Sequence, residues 1–199
     1  MKNVAYLMSL LVHPVVIPLY ALFIIFHSGT IFSFVPSQTQ YMVYLLTITG
    51  PILIPLACLP LLKYLRLIDS YAMWEKQERI FPILITIVCF FIVVYLLREL
   101  PYVHIVRQFY LLIIILLSGF LFVTICWKMS IHMMAIGALC GFVFILGTKY
   151  FGDVLNTLSF LILLSGILGS CRLYLQCHTP AQVYLGFLYG AVFIVVVLY

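Results

Sequence analysis

The chain has 199 residues, 66% of them hydrophobic and 8% charged, with a mean hydropathy of +1.28. Soluble domains carry about 45 to 50% apolar residues, so a water-soluble fold is excluded, and residues 1–199 read as one integral membrane domain. The net charge of +5 comes from cations strung between apolar runs, which form no basic stripe for nucleic acid; it points instead to membrane lipids and phosphate-bearing headgroups.

Apolar runs of the length a helix needs to cross a hydrocarbon core of about 30 Å recur along the chain and predict an all-α, polytopic transmembrane helical bundle of about seven membrane segments. The first, Ala5 to His27, contains His13-Pro14 and Pro18. It is too long and too weakly basic at its start for a signal peptide. A kink is expected near His13, whose ring at depth is either hydrogen-bonded packing or part of a cavity. The second, Tyr41 to Leu62, carries Gly50-Pro51, Pro55 and Pro60 and should be bent or broken.

Residues 63–79 form the one sizeable charged segment, with Trp74, Tyr64 and Tyr71 as interfacial anchors. Lys76 and Arg79 stand three apart and share a face if helical. The third span is Ile80 to Leu97 and the fourth Gln108 to Trp127, with Arg98, Glu99, Pro101, His104 and Arg107 between them. Lys128-Met-Ser130-Ile-His132 then opens a fifth span that ends near Thr148. A cation beside backbone N–H groups at a helix start favours an anion there.

The sixth span is Asp153 to Ser170 and the seventh Pro180 to Tyr199. Gly137 and Gly141 in the fifth, and Gly186 and Gly190 in the seventh, are Gly-x-x-x-Gly pairs that let membrane helices approach closely. Packing of these two spans would bring His132 and His178 together. The six cysteines, Cys58, Cys89, Cys126, Cys140, Cys171 and Cys177, show no Cys-x-x-Cys spacing. Neither a metal cage nor a disulfide framework is indicated, and small apolar packing is their expected role.

Between the sixth and seventh spans lies Cys171-Arg172, five residues, His178, a Thr-Pro helix start and Gln182. This resembles the third motif of the type 2 phosphatidic acid phosphatase superfamily, membrane enzymes that remove phosphate from lipids. The family pattern is Ser-Arg, five residues, His, three residues, Asp; here Cys171 stands for Ser and Gln182 for Asp. Ser130-Ile131-His132 resembles the second motif, Ser-Gly-His, without its Gly. The string from Lys76 to Pro82 looks like a shortened first motif, which has Lys, six residues, then Arg-Pro. The motif-bearing part is thus 64–199. The three motifs precede spans three, five and seven, so two crossings separate each pair and all face one side. In many family members the first two motifs share one loop, whereas here two spans intervene.

The resemblance implies a lipid phosphatase or diphosphatase acting on a long-chain substrate such as an isoprenoid or glycerolipid phosphate, with neither metal nor cofactor. In that scheme His178 is the nucleophile that forms a phosphohistidine, and His132 is the acid for the leaving group and later the base for water. Gln182 orients His178 without the charge that Asp supplies. Arg172, Lys128, Arg79, Lys76 and Ser130 hold the phosphate. The family's site usually faces outward, which implies a bacterial inner membrane with the site at its outer face. Seven cations on the motif side against three opposite would by themselves put that side in the cytoplasm, but subtracting Lys76, Arg79, Lys128 and Arg172 leaves three against three. Three other readings stay open: a relative that binds anionic headgroups without turnover, motivated by Gln182; a transporter, suggested by the Pro-broken first spans and His13; and a purely structural subunit. Against the transporter, no acidic residue lies deep in a span.

Overall fold

The computed structural model describes residues 2–71, 73, 75–100, 102–150 and 154–199. Trp74 and Asp153, an expected interfacial anchor and an expected span start, lie outside the described residues. Among those described there is no strand, and nine α-helices follow one another. In chain order they are α1 (Lys2–Leu11), α2 (Ile17–His27), α3 (Ser37–Thr47), α4 (Ile54–Tyr64), α5 (Ile80–Leu96), α6 (His104–Cys126), α7 (Ile131–Tyr150), α8 (Leu155–Tyr174) and α9 (Pro180–Leu198). Among the described residues, six helical stretches are long and apolar enough to cross a membrane, and α2 is a shorter apolar helix. Helices satisfy every interior backbone group within themselves, which hydrocarbon demands. Large apolar side chains such as Phe122 and Val196 accordingly point outward, 75% and 71% exposed. The protein is a helical integral membrane protein.

The first predicted span, Ala5 to His27, is not one helix. Pro14 has no N–H and its ring clashes with the carbonyl one turn earlier, so α1 stops at Leu11 and α2 starts at Ile17. The turn between them is closed by His13 N–H to Leu10 O (3.3 Å) and Val16 N–H to His13 O (2.8 Å). Ten residues at about 1.5 Å each make α1 roughly 15 Å long, half a hydrocarbon core. The second span stays continuous, because Gly50-Pro51 is absorbed by a π-helical segment, Ile48–Leu53, between α3 and α4. Wider hydrogen-bond loops let a chain pass a proline without ending the helix.

The chain clusters into two compact units, residues 1–34 with 129–199 and residues 35–128. In the first, α7 is the buried core helix, and α9 lies parallel to it backbone to backbone. A Cβ on Gly137 would meet Phe187 O at 2.2 Å, one on Gly141 would meet Ala191 O at 2.6 Å, and one on Gly190 would meet Met134 O at 2.0 Å. The two Gly-x-x-x-Gly pairs therefore pack against each other's helices, as their spacing predicts. Lys149 closes the far end by donating to the last carbonyls of α9, including Tyr199 O at 3.1 Å.

In the second unit, α5 and α6 pack around Phe90, Tyr110 and Phe120, all almost fully buried, and a Thr47–Tyr110 hydroxyl hydrogen bond ties α3 to α6. The charged segment is organised by Glu78, only 7% exposed. Its carboxylate accepts from the N–H groups of Asp69 (2.6 Å), Ser70 (3.3 Å) and Glu75 (3.1 Å). Each of these part-buried bonds to a charged acceptor is worth of the order of 1 kcal/mol, and removing the carboxylate breaks all three at once. Glu78→Ala is therefore expected to loosen 65–78, read as new cleavage there in limited proteolysis; an unchanged cleavage pattern would show that the carboxylate does not hold the loop.

Candidate functional site

The spacing from Arg172 to His178 has a structural origin. The helix α8 continues through Cys171-Arg172-Leu173-Tyr174, which contains no breaker, so Arg172 sits in its last turn and not in the loop after Ser170, where the sequence placed it. The chain then leaves by a Schellman turn: Cys177 N–H reaches Arg172 O (3.2 Å) and Gln176 N–H reaches Leu173 O (2.9 Å). Gln176 takes the left-handed conformation (φ 52°) that this turn requires. Two residues later His178 precedes Thr179, the N-cap of α9, with Pro180 at the first helical position.

Gln182 is the reciprocal partner in this cap. Its Oε1 accepts from the Thr179 N–H at 3.2 Å, which settles which amide atom is the oxygen. The same Oε1 lies 3.0 Å from His178 Nδ1. An amide oxygen only accepts, so Nδ1 carries the proton and the neutral ring keeps its lone pair on Nε2. Gln182 thus sets the histidine tautomer while contributing no charge. His178 itself is buried, 8% exposed.

The start of α7 meets the start of α9 at this point. Ser130 N–H donates to the Gln182 backbone carbonyl at 3.2 Å, and Gly186 admits Ser130 O, which a Cβ there would crowd to 2.8 Å. Close helix approach through these glycines sets Ser130 and His132 beside the cap that carries His178. The Arg172 guanidinium and the His178 ring each lie within electrostatic reach of the His132 ring. The N-terminal segment completes the cluster. His13 packs edge to face on His132 (centroids 5.2 Å, 88°), and Arg172 Nη1 donates to Ser9 Oγ at 3.5 Å.

Three buried polar atoms here have no hydrogen-bond partner: Ser130 Oγ, His132 Nδ1 and Arg172 Nε. Ser130 is fully buried. Among the described residues of this unit there is no Asp or Glu to neutralise Arg172. Buried polar groups are nearly always satisfied, and a guanidinium beside imidazoles with no carboxylate favours an incoming anion. Among the described residues, no group of three His, Cys, Asp or Glu has the arrangement of a metal site.

Of the residues the sequence singled out, His132, His178, Gln182, Arg172 and Ser130 come together in the first unit. Lys76, Arg79 and Lys128 belong to the second. There Lys76 Nζ donates to Ile125 O (2.6 Å) and Cys126 O (3.4 Å), capping α6 just before Lys128 in the chain, and Arg79 Nε donates to Met73 O at 3.3 Å. Sequence reasoning did not assign Ser9, and it left His13 between packing and cavity. A polar ring beside a proline in an apolar run was the only signal available for it. No family model, no curated protein and no solved structure matches the chain.

Proposed function

We propose that this protein is a membrane-embedded phosphatase or diphosphatase that hydrolyses a phosphate ester or anhydride of a long-chain lipid through a phosphohistidine. The observation that carries the reading is the arrangement of Arg172, Ser130 and His132, each with a buried polar atom that has no hydrogen-bond partner and with no Asp or Glu among the described residues of the unit, against a His178 whose tautomer keeps the lone pair on Nε2. In the first step that lone pair attacks phosphorus, the bond to the leaving oxygen breaks, and His132 gives that oxygen its proton. Arg172 and Ser130 hold the non-bridging oxygens, where charge must be neutralised. In the second step His132 takes a proton from water as the water oxygen attacks phosphorus, the P–N bond breaks, and inorganic phosphate leaves. The family resemblance supplies the roles given to His178 and His132. It also assigns the site to the outer face of a bacterial inner membrane.

The test is phosphate release by detergent-purified protein from a panel of lipid mono- and diphosphates. A second reading is favoured by Gln182, which lacks the charge the family's Asp supplies: a relative that binds anionic headgroups without turnover. Headgroup binding with no phosphate release from any member of the panel would select it. The hydrolase reading further predicts that EDTA leaves turnover intact, because no step needs a Lewis acid when Arg172 and two imidazoles carry the charge and the protons. Loss of activity in EDTA with rescue by one divalent ion would overturn that expectation.

A further inference from the structure

The geometry points to the break between α1 and α2 as a working part of the site: His13 is a positioning residue for His132. This inference rests on the hydrolase reading and extends it to a segment about 120 residues away in the chain. The two rings meet edge to face at 5.2 Å, a favoured aromatic geometry that restrains ring rotation. His13 is itself held, since its Nδ1 accepts the Val15 N–H at 3.3 Å inside the turn that Pro14 enforces. The same segment reaches the other working groups, with Ser9 Oγ on Arg172 and the Ser9 carbonyl within hydrogen-bonding reach of the His132 ring. A general acid must have its proton aimed at the leaving oxygen. His132 stands in the first turn of α7 with Nδ1 unpartnered, so its orientation depends on what the N-terminal segment sets against it, the Ser9 carbonyl at its edge and the His13 ring packed on it.

A leaving group that departs easily as an anion needs no proton, so loss of His132 alignment will lower kcat/KM, which ends at departure of the alcohol and excludes the later hydrolysis common to both esters, far more for an alkyl phosphate than for an aryl phosphate. Loss of folded protein would slow both equally. Two variants separate the ring from the backbone contact. His13→Asn keeps an acceptor for the Val15 N–H and removes the ring; His13→Phe keeps a ring and removes the acceptor. With a long-chain alkyl phosphate and p-nitrophenyl phosphate as paired substrates, His13→Asn is expected to lower kcat/KM on the alkyl ester by about 10- to 100-fold, the scale of a small misplacement. On the aryl ester the expected change is under about threefold, and His13→Phe stays near wild type on both. Equal losses on the two esters, no loss on either, or a His13→Phe variant as slow as His13→Asn on the alkyl ester would overturn the positioning role alone. If His13→Asn fails to accumulate, His13→Phe still decides, since a folded but slow Phe variant on the alkyl ester contradicts it. A wild type inert on both esters would overturn the hydrolase reading and this role with it.

Discussion

Replacing His178 by Ala is expected to abolish phosphate release, by roughly 10⁴-fold or more, the scale seen when covalent catalysts lose a nucleophile or its base. No other group in the proposed scheme provides the attacking lone pair. The companion variant is Gln182→Glu. Gln182 Oε1 already accepts from both the Thr179 N–H and the His178 Nδ1–H, and Glu is isosteric with Gln and equally at home in this capping position. A shorter Asp must reach both donors with one methylene fewer. A carboxylate there turns a neutral hydrogen bond worth about 1 kcal/mol into a charge-assisted one of about 1.5–3, and the gain grows as His178 becomes cationic on attack. An advantage of about 1–2 kcal/mol corresponds to a rate increase of about 5- to 30-fold. Phosphate release by equal amounts of monodisperse wild type, His178→Ala and Gln182→Glu checks both. Undiminished turnover without His178 removes the nucleophile assignment; a folded Gln182→Glu that is inactive means Gln182 touches substrate instead.

The largest structural effect is expected at Gly190. A Cβ there would stand 2.0 Å from Met134 O and 2.7 Å from Ala138 N, and both are backbone atoms of α7 that cannot rotate away. Overpacking a core of movable side chains costs about 1–3 kcal/mol; against backbone the helices must part, so Gly190→Ala should sit at or above the top of that range. Separating α7 from α9 also separates Ser130 from Gln182, so activity should fall with stability. Gly166 in α8 is the internal control, because a Cβ there meets nothing within 4 Å. Gly166→Ala should stabilise by about 0.5–1 kcal/mol through helix propensity alone. Thermal unfolding in detergent and the monodisperse yield distinguish the two. Equal midpoints for both variants would mean that α7 and α9 do not meet through Gly190.

Hydropathy and segment length alone determined that this chain is a helical membrane protein, because a continuous apolar run of about 20 residues fits hydrocarbon as a helix that satisfies its own backbone, whereas barrel strands are shorter and alternate in polarity. Gly-x-x-x-Gly spacing named the pair of helices that pack, since only a missing Cβ lets two backbones come so near. Thr179-Pro180 with Gln182 three residues on announced the start of α9 and the partner of His178. What only the tertiary structure decided lies where those local signals are silent. Pro14 promised a kink, yet whether the chain bends or splits into α1 and α2 depended on what the freed groups find to bond. Arg172 stayed helical because nothing in Cys171–Tyr174 stops a helix, and the stop came from the turn at Gln176. The pairings of His13 with His132 and of Ser9 with Arg172 join residues more than a hundred positions apart. Helices as uniformly apolar as α7 carry no polar stripe to say which face meets which neighbour, so these contacts exist only once the bundle is packed.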